Sequence, residues 1–90
     1  MDELGPVGQT ITAKLNKAFQ PSLLEVVDES HRHAGHSGAR AEGETHFRIK
    51  LRAASFAGKS LLQRHRMVNE TLAEELRGPV HALSIDANQP

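Results

Sequence analysis

The run ETHFRIKLRA, residues 44–53, alternates without a break: Thr45, Phe47, Ile49, Leu51 and Ala53 fall on one side, His46, Arg48, Lys50 and Arg52 on the other. A period of two marks a strand with one buried and one wet face. Such a strand cannot stand alone, because its apolar side and its backbone edges both need partners. The rest of the chain must therefore supply neighbouring strands and a covering layer.

It does so in a fixed order. In PVGQTITAKLNKAFQP, Val7, Ile11, Leu15 and Ala18/Phe19 recur every three or four residues while Gln9, Lys14 and Lys17 face out, which predicts a helix over about 6–19. Pro6 suits its first turn, and Pro21 lies just beyond its end. LLEVVDES, short and β-branched at its centre, reads as a first strand. After SFAGK, the order Ser60-Leu61-Leu62-Gln63 has the spacing of a capping box, so a second helix starts there. Leu61, His65, Val68, Leu72 and Leu76 form its inner stripe, and Gly78-Pro79 ends it. VHALSIDA then resumes a period of two, with His81, Leu83 and Ile85 on one side.

The order α-β-β-α-β predicts an α+β fold: a two-layer sandwich in which a small three-stranded mixed sheet is covered by helices on one face. The first two strands should be antiparallel. The strand-helix-strand step should set the third strand parallel to the second through a right-handed crossover. One domain accounts for residues 1–90, with 31–43 as a long flexible His/Gly-rich loop and 88–90 as a frayed tail.

Composition narrows the function classes. Eleven Lys and Arg balance eleven Asp and Glu, so no global field gathers nucleic acid or anionic lipid. There is no cysteine, which removes disulfides, thiolate nucleophiles and any self-sufficient thiolate-ligated cluster. No apolar run approaches membrane-spanning length, and the start MDELGPVGQT has neither the basic nor the apolar region of a signal peptide. The chain reads as cytoplasmic, without a membrane, or as organellar where a presequence has been removed.

Three of the six histidines, His31, His33 and His36, lie together in SHRHAGHSG. Neutral imidazole ligates zinc, copper, nickel and iron without losing a proton near neutral pH. Ordering a mobile loop opposes binding, however, and no thiolate or carboxylate nearby completes a site, so the loop taken alone favours adventitious binding or none. His81 is a candidate further donor. Its position beside Leu83 and Ile85 points it toward the core edge, where the pattern alone favours a buried histidine satisfied by the backbone over a ligand. His65 reads as a packed or helix-bonded ring, and His46 as part of a solvated row with Arg48, Lys50 and Arg52.

That basic row could touch phosphate, but the chain has three Phe and no Tyr or Trp, and single-strand binders usually stack bases on aromatic platforms. Catalytic patterns are absent. GHSGA around Ser37 lacks the closing glycine and following helix of a nucleophile elbow. Asp28/Glu29 and Glu42/Glu44 flank strands without an apolar pocket to separate their protonation states. The expectation is that the protein is not an enzyme.

ETHF (44–47), the run F-x-G-x-S-x-x-x-RHR from Phe56 to Arg66, LAEEL (72–76) and VHALSI (80–85) together resemble the BolA family, in consistent order from about Leu15 to Ile85. The resemblance implies a class II KH-like fold. It also implies pairing with a monothiol glutaredoxin around a shared [2Fe-2S] cluster. In that arrangement the glutaredoxin gives its active-site Cys and a bound glutathione thiolate, and the BolA protein gives a C-terminal His and a His or Cys from the loop between the first two strands. The C-terminal ligand maps to His81. The loop ligand maps to His33, a few residues after Glu29-Ser30, with His36 as the alternative because GHSGARAE lengthens this loop. Arg64 and Arg66 would contribute to docking or cluster surroundings.

The resemblance thus implies a non-enzymatic adaptor in iron-sulfur trafficking or assembly and in iron or redox regulation, monomeric and without cofactor when alone. The rival is a DNA-binding transcriptional regulator that uses the KH-like fold and the basic strand face for weak DNA binding. Against it, SFAGKSLLQ ahead of the second helix lacks the GXXG loop on which KH recognition depends. A third reading is a histidine-loop sink for nickel or zinc.

Overall fold

A computed structural model describes residues 4–30 and 43–90 of the chain. The elements are α1 (Pro6–Phe19), β1 (Leu23–Asp28), β2 (His46–Arg52), α2 (Leu61–Thr71), α3 (Ala73–Arg77) and β3 (Ala82–Asn88), with a short 3-10 turn at Ala54–Phe56. The sheet order is β1-β2-β3, with β1 antiparallel and β3 parallel to β2. The α+β class, the mixed three-stranded sheet and the covering helices are thus as expected.

The alternating run behaves as its period demands. Thr45, Phe47, Ile49, Leu51 and Ala53 are all buried, and all but Thr45 join the apolar core. Ile11, Leu15 and Phe19 descend from α1 onto that face, while Val68 and Leu72 arrive from the other helical segment. Phe19 and Phe56 meet with ring centroids 5.0 Å apart and tilted by 36°, a favourable aromatic arrangement. Removing this face from water is what holds the helices to the sheet.

Polar contacts set the helix ends. Gly5 gives α1 no side-chain cap, so Glu44 reaches across from the other side of the chain and accepts from Gly8 N at 2.9 Å. A Cβ at Gly5 would lie 2.7 Å from the Glu44 carboxyl group, which explains glycine there. Gln20 closes the helix in the left-handed region, its N–H donating to Asn16 O. The capping box of α2 is complete: Ser60 Oγ accepts from Gln63 N at 3.1 Å, and Gln63 Oε1 accepts from Ser60 N at 2.8 Å.

Four expectations need correction. The second helix is not continuous: Leu72 leaves helical geometry (φ −104°, ψ 21°) and separates α2 from α3. One residue earlier, Thr71 Oγ1 donates to Met67 O at 2.9 Å, the back-bond that commonly bends helices. Leu61 does not join the inner stripe but, like Leu62 beside it in the first turn of α2, is exposed, at 60% and 62%. The third strand begins at Ala82 rather than Val80 and runs through Asn88. Asn88 is therefore not frayed: it pairs with Arg52, and its carbonyl accepts from Ala53 N at 3.0 Å. The loop predicted over 31–43 lies outside the described residues apart from Gly43.

Candidate functional site

The two ends of the segment that carries the histidines are tied together by side chains of the strands. Asp28, the last residue of β1, accepts from Ser30 N through Oδ1 at 2.9 Å and from Glu44 N through Oδ2 at 3.0 Å. Gly43 and Glu44 both have positive φ, 77° and 64°, which turns the returning chain sharply into β2. Ser30, almost wholly buried, accepts through its hydroxyl from Thr45 N at 2.8 Å and His46 N at 3.1 Å. Residues 30 and 43 are thereby held at one end of the sheet.

The same end carries His81. Thr45 O accepts from His81 N at 2.7 Å and also from Ala82 N at 3.3 Å. Two successive amides on one carbonyl are the mark of an extra residue in the ladder, as in a β-bulge. Val80 is buried, and the extra residue resets the alternation, so that both His81 and Ala82 are exposed. This corrects the expectation that His81 follows Leu83 and Ile85 toward the core edge. Its ring lies parallel to that of His46, with centroids 6.2 Å apart and planes 13° apart. Among the described residues neither ring nitrogen of His81 has a hydrogen-bond partner.

His46 is a residue of this site that pattern reading does not single out. Its alternation put it correctly on the face with Arg48, Lys50 and Arg52, but nothing in the sequence showed that β3 would bring His81 beside it. Its Nδ1 lies 2.8 Å from Thr45 Oγ1. The Asp28–Ser30–Thr45 contacts are likewise not legible in the pattern, and the one signal for them is the Asp28/Ser30 spacing of two, usual for a side chain that bonds the local backbone. The carboxylates considered for catalysis have structural duties: Asp28 at the loop root, Glu44 on α1, and Glu29 paired with Arg48 at 2.9 Å.

His31, His33, His36, Ser37 and Glu42 lie outside the described residues. His65 is partly buried on α2, and its Nε2 is buried with no hydrogen-bond partner among the described residues. Arg64 folds back so that Nη1 donates to Lys59 O at 3.0 Å, and Arg66 is exposed. Among the described residues no three His, Asp or Glu side chains gather as a metal site.

The basic row is largely neutralised. Arg48 pairs with Glu29, and Arg52 makes a two-pronged contact with Asp86 at 3.1 and 3.2 Å. Lys50 lies in register between Glu25 on β1 and Asp86 on β3. The Arg52 guanidinium, with help from Lys50 and Arg64, holds the Asp86 carboxyl below its ordinary value. No helix among the described residues is long and apolar enough to cross a membrane.

Fold and site together define a small α+β domain, one mixed sheet under helices, with an exposed imidazole at the root of a histidine-bearing segment. The family model for BolA-like proteins matches residues 15–90. BolA-like protein 1 of Mus musculus is 51% identical over 86 residues, 96% of this chain and 60% of that protein. SufE-like protein 1, chloroplastic/mitochondrial, of Arabidopsis thaliana is 45% identical over 91 residues, 97% of this chain but 24% of that protein. The DNA-binding transcriptional regulator BolA of Escherichia coli is 48% identical over 79 residues, 88% of this chain and 71% of that protein. The solved BolA domain of SufE1 from Arabidopsis thaliana superposes with a TM-score of 0.89 at 45% identity, covering 98% of this chain and 96% of that one. The chain belongs to the BolA family. It spans only about three fifths of the mouse relative and a quarter of the plant one.

Proposed function

We propose that the protein is a non-enzymatic adaptor that joins a monothiol glutaredoxin and co-ligates a shared [2Fe-2S] cluster through histidine, serving iron-sulfur trafficking and iron or redox regulation. The observation that carries this is the exposed His81 ring, its nitrogens unpartnered among the described residues, beside the root of the histidine segment. A ring offered to solvent in this way fits a ligand for a metal centre whose remaining donors come from elsewhere. His33 and His36 follow Ser30 by three and six residues, covalent reaches of about 10 and 20 Å, and Ser30 and His81 both bond to the backbone of Thr45. The tether thus allows either to approach His81, and His33 is the favoured loop ligand. Sulfur must be the partner's contribution, because this chain has no cysteine. When bound, such a cluster supplies electron storage, and imidazole on one iron raises its reduction potential relative to all-thiolate ligation.

The name of the Escherichia coli relative suggests duplex DNA instead. Here the open sheet face has less to offer phosphate, since Arg48 and Arg52 are already engaged by Glu29 and Asp86.

Mixing the protein with a glutathione-loaded monothiol glutaredoxin, then recording visible absorption and circular dichroism, tests the reading. A coloured heterodimer is expected. His81→Ala should abolish or strongly alter the visible bands while far-ultraviolet circular dichroism stays unchanged, because the ring is exposed and packs no core. His33→Ala should weaken the bands more than His36→Ala. Nickel or zinc binding by the isolated protein that survives His81→Ala, with no coloured complex, would make the loop a metal sink. Sequence-selective duplex binding without glutaredoxin would favour the regulator.

A further inference from the structure

We infer that the buried hydroxyl pair Ser30–Thr45 locks neutral His46 with its proton on Nε2, making His46 a hydrogen-bond donor to the anionic, sulfur-bearing group bound at His81 rather than another ligand to its iron. The donor role rests on the cluster reading above, whereas the tautomer rests only on the chain itself.

The tautomer follows from counting protons. A backbone N–H can only donate, and a serine hydroxyl has two lone pairs and one proton. Ser30 Oγ receives Thr45 N–H at 2.8 Å and His46 N–H at 3.1 Å, so both of its lone pairs are taken. Ser30 and Thr45 are 3% and 0% exposed, which leaves no water to relieve them. Thr45 Oγ1 lies 3.2 Å from Ser30 Oγ and 2.8 Å from His46 Nδ1. Thr45 cannot give its proton to a serine oxygen with no lone pair left. It must give it to His46 Nδ1, while the serine proton is free to return toward Thr45 Oγ1. An accepting Nδ1 carries no hydrogen, so the single proton of the neutral ring is on Nε2. The opposite tautomer would set an Nδ1–H against the threonine and leave a buried hydroxyl proton without an acceptor.

This assignment separates two stacked rings by role. His81 offers lone-pair chemistry at the exposed rim. His46, parallel to it with centroids 6.2 Å apart, has its lone pair spent on the buried threonine and turns its N–H side away from it. An N–H is repelled by a metal cation and attracted by sulfide or thiolate. Hydrogen bonds to the sulfurs are among the features that set a cluster's potential.

Long-range proton–nitrogen spectra of the nitrogen-15-labelled full chain, at a pH where the ring is neutral, read the tautomer directly, with His46→Phe identifying the signals. The expected result is a protonated ε2 and an unprotonated δ1 nitrogen. Thr45→Val should shift His46 toward the tautomer mixture of an exposed histidine, and Thr45→Ser should restore the wild-type pattern. A protonated δ1 nitrogen in the wild type overturns the inference. In the cluster-loaded heterodimer, His46→Phe should keep the visible bands and lower the reduction potential. An unchanged potential, or loss of the cluster from a variant whose amide spectrum shows it folded, overturns the donor role. If the wild type forms no cluster yet shows the expected tautomer, the proposed function and the donor role fail while the tautomer assignment stands.

Discussion

Ser30 carries two backbone amides on one hydroxyl oxygen, in a place that water does not reach. Ser30→Ala should therefore destabilise the fold by about 2–3 kcal/mol, the usual consequence of leaving buried donors unmet. Chemical denaturation would show this, with faster exchange confined first to the amides of Thr45 and His46. Asp86 gives a smaller and pH-dependent effect. Its folded pKa is depressed, first by the hydrogen bond from Arg52 and then by nearby positive charge. The stabilisation it lends is thus present above its unfolded pKa and disappears as pH falls through the folded value. The Asp86 carboxylate is largely exposed, so Asp86→Asn should cost at most about 0.5 kcal/mol at pH 7 and nothing at a pH where both forms are neutral. Denaturation midpoints at the two pH values would check it. Little at this scale could be read in advance. Ser30, Asp28 and Thr45 look like ordinary turn and strand residues until a second segment supplies the groups they bond.

Elements were more legible, because their signals are local. The alternation over 44–53 gave β2 its buried face, and the 3.6-residue stripe of α1 gave Ile11, Leu15 and Phe19. Leu15→Ala, at a wholly buried site under α1, should lower stability by about 2–5 kcal/mol in thermal or denaturant unfolding. Ser60→Ala should cost about 1 kcal/mol by removing the cap of α2, and Ser60→Thr should recover most of it. Where the local signal failed, a competing contact had won. The break at Leu72 lies next to the Thr71 back-bond, and the late start of β3 coincides with the doubled amide contact on Thr45 O. Neither interrupts the hydrophobic pattern, so periodicity passes over both.

At the scale of the whole molecule, a balanced charge and an open sheet face whose arginines are ion-paired argue against an electrostatic hold on nucleic acid. Fluorescence anisotropy should show duplex DNA binding that is weak at low salt and lost near physiological salt, whatever the sequence. Residue types and spacings alone determined the element order, most of the buried faces, the mixed sheet and the absence of any thiol, since periodicity, capping and composition all reside in the chain as written. Only the tertiary structure decided that His81 faces outward, that His46 stacks on it, and that Asp28 and Ser30 gather both ends of the histidine segment at the same edge. Those facts depend on the register between β2 and β3 and on one extra residue at the start of β3. Register is settled by how strands far apart in sequence meet across a shared core, and a short hydrophobic pattern is compatible with more than one such meeting.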